Sequence, residues 1–180
     1  MVIRRATAND IDDVLWLYEE VAHAMVGTPF DCRWRQGGHP SRELVSSLVL
    51  EHVMFLACEG DDIVGAVGAD HDLRHDYGDA RWLIDADWPD VAVVHLLTTR
   101  PDCRGGGIAR MLLLTLMADA REHGMRSMRL DVTHNNAPAL ELYRTEGFEE
   151  VARETQVLDP KEVRECEDPH VTFVVLERVL

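Results

Sequence analysis

The sequence predicts an α/β fold: a single domain over residues 1–180, built on a mixed sheet of about seven strands flanked by about four helices. Three observations predict it. The spacing of apolar residues switches repeatedly between the helical and the strand period. "VAVVHLLTT" is a nearly continuous apolar, β-branched run that suits a strand covered on both faces. A length of 180 residues, 46% hydrophobic and 28% charged, is ordinary for one domain that buries a sizeable core.

Ile3 to Arg5 reads as a short strand. The helix after it places Ile11, Val14, Leu15, Tyr18, Val21 and Ala22 at helical spacing, with Asn9 or Asp10 as its cap. An irregular stretch, 27–40, leads to "SRELVSSLVLEHV", a second helix opened by Ser41. "VMFLACEGDDIVGAVGAD" then reads as two strands around "GDD", an antiparallel hairpin. Residues 70–90 are polar, charged and aromatic without a period, an ordered loop or insertion at the mouth of a site. After the "VAVVHLLTT" strand and a glycine stretch, Ile108 to His123 is a well-buried helix with Gly124 past its end. "SMRLDVT" is a strand and "NAPALELYRTEGF" a short helix ending at Gly147. Glu149 to Val157 and Val171 to Val179 are the last strands, joined by the charged "LDPKEVRECEDP".

No run approaches the ~20 apolar residues of a membrane span. The N-terminal segment carries acids inside its apolar pattern, where a signal peptide needs an uninterrupted one. Cys32, Cys58, Cys103 and Cys166 are scattered, which fits reduced thiols better than a zinc cage or a disulfide framework. These features lead us to expect a mature cytoplasmic protein. A formal charge of −15, with 18 basic against 33 acidic residues, opposes nonspecific nucleic-acid binding. It leaves basic substrates open, although such a charge also serves solubility alone.

The stretch "TTRPDCRGGGIARMLLLTLM" runs from a strand through three consecutive glycines into a helix. Free N–H groups at the positive end of a helix seat phosphate, and glycines let the ligand approach the backbone. A plain tight turn would look the same. A P-loop needs Lys and Ser/Thr after its last glycine, and Ile108 and Ala109 stand there instead. A dinucleotide fingerprint needs a further glycine that "GGGIAR" lacks.

Arg104 to Ala109 resembles the R-x-x-G-x-G/A pattern of the GNAT acyltransferase superfamily. "NNAPALELYRTEGF" is similar to that family's later N-x-x-A-x-x-L-Y-x-x-x-G-F segment at Asn136, Ala139, Leu142, Tyr143, Gly147 and Phe148. The two matches come in the family order, with a strand-sized run between them. The resemblance implies a mostly antiparallel, twisted sheet and acetyl-CoA as cosubstrate. It implies that the amides of Gly105, Gly106, Gly107, Ile108 and Ala109, with Arg104, hold the pyrophosphate. The backbone of Leu97, Thr98 and Thr99 would pair with the pantetheine arm as an added strand. Asn136 would touch the cofactor near the splay between the strands ending at Thr99 and Thr133. Thr98 and Thr99 stand where the family has a hydrophobic residue, and Cys103 where an aromatic one is common.

The activity so implied is transfer of an acetyl group from acetyl-CoA to a primary amine, by direct attack in a ternary complex. That chemistry needs a neutral amine, a stabilised oxyanion and a protonated leaving thiolate. Tyr143 matches the family tyrosine that protonates the thiolate, and a backbone N–H near Leu97 to Thr99 would be the oxyanion donor. Histidine is the side-chain type suited to a base near neutral pH, and His95, in the strand leading to the loop, is the candidate, with Glu59 and Asp131 as carboxylate alternatives acting through water. His71 and His75 are spaced four apart but lack a third ligand, so we expect no metal site. Cys103 has no partner spaced to activate it and reads as an inert thiol. Asp70, Asp72, Asp76, Asp85 and Asp87 would attract a cation or simply be solvated. A second function class is an acyl-CoA-binding regulatory or degenerate module without turnover, and a third is a nucleotide-binding protein. The expected partner is an amine, of a small molecule or a polypeptide, with neither nucleic acid nor membrane. The resemblance also allows a homodimer.

Overall fold

A computed structural model describes residues 1–35, 38–75, 77–157 and 168–180. Asp76, Cys166 and most of the charged "LDPKEVRECEDP" connection lie outside the described residues. Seven strands form one sheet: β1 (Val2–Arg5), β2 (Val53–Glu59), β3 (Asp62–Asp70), β4 (Val91–Thr99), β5 (Ser127–Thr133), β6 (Glu149–Val157) and β7 (His170–Val179). Their spatial order is β1-β2-β3-β4-β5-β7-β6. Every pairing is antiparallel except β4 with β5. The four helices are α1 (Ile11–Met25), α2 (Arg42–Leu50), α3 (Ile108–Glu122) and α4 (Ala137–Thr145).

The sheet separates two layers. On one face α3 and α4 bury Leu112, Leu113, Leu116, Leu140 and Tyr143 against Phe55, Val67, Val94, Leu130 and Val174. On the other, α1 and α2 bury Val14, Leu17, Tyr18, Val45 and Leu48 against Leu56, Ile63, Ala66 and Leu96. The period-3.6 apolar face of α1 makes this contact, and Ser41 caps α2 by accepting from the Leu44 amide at 3.2 Å. Asp10 precedes α1 but does not cap it. Its carboxylate instead takes Arg4 at 2.6 and 2.9 Å and the Thr7 amide at 2.7 Å, tying β1 to the helix.

The aperiodic stretches 71–75 and 77–87 add to the cover of the second face. Leu73, Tyr77 and Trp82 pack on Val91, Val93 and Val175. Beneath it Arg129 and Glu177, both buried, pair at 2.9 Å, and the guanidinium lies 3.9 Å from the Trp82 ring. Ser127 and the Leu83 amide donate to the same Glu177 carboxylate. A buried pair so satisfied fixes the second stretch's position, because removing either partner strands the other charge at a cost of about 3–5 kcal/mol.

Candidate active site

β4 and β5 pair only from Val91–Val93 with Ser127–Arg129. Beyond that, β4 keeps β3 on one edge as far as Thr99, and β5 keeps β7 as far as Thr133. The strands diverge, leaving two backbone edges facing each other across an open wedge. A bare edge is a row of N–H and C=O groups in need of a partner. Leu97, Thr98 and Thr99 lie on it, as does a β-bulge: Leu96 and Leu97 together oppose Val67, and Leu96 sits at φ 58°.

At the end of β4 the chain makes one 3-10 turn, Pro101–Cys103, and reaches the glycines. Gly105 and Gly107 have φ of 83° and 78°, left-handed conformations open to glycine at little cost. Gly107 caps α3, whose first helical bond runs from the Met111 amide to the Gly107 carbonyl at 3.0 Å. The amides of Ile108 and Ala109 therefore precede the ladder; no side chain caps them and no acid occupies the first turn. A Cβ on Gly105 or Gly107 would meet no protein atom within 4 Å, so the space over the loop is open. By contrast Gly65 is a packing position: its Cβ would stand 3.0 Å from Ile108, Leu112 and the Thr98 carbonyl, and its absence lets α3 seat against the sheet. Arg104 is exposed beside the loop.

Tyr143 projects from α4 into the core, edge-on to Phe148 at 5.6 Å between ring centroids. Burial, then the charge of Asp131, push its phenol above the ordinary range, so it is a protonated donor at neutral pH. Asn136 caps α4, its Oδ1 accepting from the Ala139 amide at 3.3 Å. Its neighbour Asn135 donates to the Pro29 and Asp31 carbonyls at 3.1 and 3.2 Å, drawing the segment after α1 toward the end of β5. The hydroxyls of Thr99 and Thr133, at the ends of the two diverging strands, are buried without a hydrogen-bond partner among the described residues.

On the α1 face of the wedge, His95 Nε2 lies 2.7 Å from Asp70 Oδ1. Arg74 pairs with the other oxygen of the same carboxylate. Burial works against ionising Asp70, but the bond to His95, its charge, the Asp72 amide and Arg74 outweigh it, and Asp70 stays below the usual carboxylate range. Asp131 on β5 accepts from the Tyr77 hydroxyl. Here desolvation wins over Tyr77, His75 and His95, and the carboxyl is pushed up.

The sequence singles out His95, Tyr143, Asp131 and the loop: His95 and Asp131 are on the two diverging strands, the loop follows β4, and Tyr143 is buried on α4 in the layer that packs on the other face of the sheet. It gives Asp70 no more than the status of an acid, and it misses Tyr77 altogether. Glu59 is at the exposed tip of the β2–β3 hairpin, paired across to Asp62, and does not join the group. His71 is engaged with the Val91 carbonyl at 2.7 Å and His75 packs on Phe173 at 5.3 Å. Among the described residues no three His, Cys, Asp or Glu side chains are grouped to hold a metal. Partial burial, then Asp102, raise the Cys103 thiol above its ordinary range, which disfavours a nucleophilic thiolate. Among the described residues no helix is long and apolar enough to cross a membrane.

The sequence pattern of the acetyltransferase (GNAT) family matches residues 14–148. An aminoglycoside N(6')-acetyltransferase type 1 of Stenotrophomonas maltophilia is 32% identical over 122 residues, 67% of this chain and 75% of that protein. An uncharacterized N-acetyltransferase of Methanocaldococcus jannaschii is 29% identical over 150 residues, 82% of this chain and 60% of that protein. A mycothiol acetyltransferase of Saccharomonospora viridis matches at 36% over 66 residues, so the chain spans only 22% of its length. In fold, the chain is similar to a ribosomal-protein-alanine N-acetyltransferase of Brucella melitensis, with TM-score 0.71, 20% identity and full coverage of both chains. It is also similar to a Salmonella typhimurium protein solved with its cofactor acetyl-CoA, at TM-score 0.70 and 19% identity over 99% of this chain and 93% of that one.

Proposed function

Because the chain belongs to the acetyltransferase (GNAT) family, we propose that it transfers an acetyl group from acetyl-CoA to a primary amine by direct attack within a ternary complex. The observation that carries this reading is the wedge between β4 and β5, opening beside a glycine-capped helix N-terminus with no acceptor of its own. The fit is chemical. The loop amides and the positive end of α3 suit a pyrophosphate, with Arg104 at its rim. The bare edge of Leu97 to Thr99 suits the amide-rich pantetheine arm, and the Thr99 and Thr133 hydroxyls lack the partners that a polar ligand would bring. For Asn136 the reading uses the amide nitrogen, since its oxygen is the cap of α4.

Acetyl-CoA supplies an activated carbonyl and a thiolate leaving group. An ordinary alkylamine with a pKa of about 10.4 is neutral in about one molecule per thousand near pH 7.4, so a proton must be taken up. His95 does this. The Asp70 carboxylate is acceptor only, so Nε2 carries the hydrogen of their bond and the lone pair is on Nδ1. Asp70 then stabilises the imidazolium. A backbone N–H at the bulge stabilises charge developing on the carbonyl oxygen. Tyr143 donates to the departing sulfur. With a phenol above its ordinary pKa of about 10 and a thiol near 8.5, complete transfer from Tyr143 is uphill, so its hydrogen bond carries the effect, and the proton that the sulfur finally takes as the C–S bond breaks is the one the new amide nitrogen sheds. Asp131, with its carboxylate on the α1 side of β5, would favour a cationic acceptor. The free thiols Cys32, Cys58 and Cys103 support a reducing, cytoplasmic setting.

The test is release of CoA thiol from acetyl-CoA across polyamines, amino acids, aminoglycosides and peptide N-termini. Amine-dependent release supports the reading. Tight acetyl-CoA binding without release on any amine supports a binding module instead.

A further inference from the structure

Leu96 is an anomaly of the central strand. It is a buried leucine at φ 58°, in mid-strand, where an L side chain is held only by what surrounds it. The two-against-one register with Val67 takes its peptide out of the β3–β4 ladder. Its carbonyl would then be a buried acceptor without a strand partner, and a side chain supplies the donor. The Tyr18 hydroxyl, from the buried face of α1, donates to it at 3.0 Å. Tyr18 is only 2% exposed, and the Trp34 ring meets it edge-on at 5.4 Å, so the hydroxyl has little freedom to leave.

The consequence follows from peptide planarity. The Leu96 carbonyl and the Leu97 N–H belong to one trans peptide unit and point in opposite directions. Holding the carbonyl toward α1 turns the Leu97 N–H away from α1, on the stretch of β4 that has lost β5 and borders the wedge. We propose that Tyr18 is a positioning residue for acyl transfer: through the Leu96 carbonyl it fixes the Leu97 amide as the donor to the thioester oxygen. This rests on the acetyl-CoA reading of the site. It assigns Tyr18 a role separate from core packing, since the hydroxyl can be removed while the ring stays.

The test is isotope-edited infrared spectroscopy of acetyl-CoA, labelled at the thioester carbonyl and bound to the full chain, in wild type and Tyr18→Phe. The carbonyl band is expected at lower wavenumber in the wild-type complex than in solution. Tyr18→Phe is expected to return it most of the way to the solution value, with Kd for acetyl-CoA held within about twofold. An equal band in both proteins overturns the proposal and leaves Tyr18 a core residue. Should the variant fail to fold, the Leu97 amide proton of the wild type decides by nuclear magnetic resonance. It is expected downfield with acetyl-CoA relative to free CoA, and identical positions overturn the proposal. Failure of the wild type to bind acetyl-CoA overturns the reading of the whole site, and is distinguishable from binding with an unshifted band.

Discussion

Substituting Gly106 by alanine separates the loop's ligand role from its folding role. Gly105 and Gly107 are at positive φ, so a side chain there strains the backbone by about 1–2 kcal/mol whether or not anything binds. Gly106 is not, and an alanine Cβ would find its nearest non-adjacent atom, the Cys103 carbonyl oxygen, at 3.6 Å, an ordinary contact. The unliganded variant should therefore unfold within a degree or two of wild type, as an unstrained exposed substitution of about 0.5 kcal/mol or less does. Binding should suffer more. Displacing the pyrophosphate from one or two charge-assisted bonds costs about 2 kcal/mol, or about 30-fold in Kd. At a ligand concentration of about 100 wild-type Kd, acetyl-CoA stabilises the wild type by about 2.7 kcal/mol and the variant by about 0.9. For a chain of this size that is a melting shift of about 5–11 °C against about 2–4 °C. A differential scan with and without acetyl-CoA reads both numbers. An undiminished shift in Gly106→Ala would refute the assignment of the loop to the pyrophosphate.

Tyr143→Phe should lower kcat by about tenfold or more while leaving Kd for acetyl-CoA near wild type, because the lost hydrogen bond acts on the departing sulfur. Asp70→Asn should lower kcat/KM by about 10²-fold or more, read from initial rates, since His95 loses both its orientation and the charge that stabilises its cation. Asp131 has a raised pKa in the folded state, so the folded chain binds its proton more tightly and stability falls as pH rises through that range. Asp131→Asn should thus raise the unfolding midpoint at neutral pH, with the gain shrinking as pH falls and gone below the unfolded value of about 3.9, where both states of the wild type become protonated. Gly65→Ala should lose about 1–3 kcal/mol in denaturant unfolding and weaken acetyl-CoA as well, because relieving three contacts at 3.0 Å moves the first turn of α3.

The sequence made the scaffold and the glycine loop legible because both are written locally. β5 and β6 run as their apolar spacing predicts, Ser41 caps α2, and the glycines lie between a strand and a helix. The site's charge relationships are written across the register instead. Asp70 and His95 are 25 residues apart and meet because β3 and β4 are antiparallel, with Gly68 opposite His95. Tyr77 sits in a stretch without periodicity, so nothing in its neighbours announces that it reaches Asp131. Tyr18 has the spacing of a core position on α1, which it is, and its hydroxyl's partner depends on a bulge at Leu96 that no glycine marks. Asp10 looks like a helix cap, and loses that role because Arg4 and Thr7 offer its carboxylate stronger partners.

The structure of the full chain with acetyl-CoA bound tests the central claim most directly, because it shows where the cofactor lies before any acceptor is known. The account predicts the pyrophosphate on the amides of Gly105 to Ala109, the pantetheine arm along Leu97 to Thr99, and the thioester in the wedge between Tyr143 and His95. Acetyl-CoA seated elsewhere, for example in the cavity of about 440 Å³ lined by Trp16, Tyr18, Arg35 and Arg42, would contradict it.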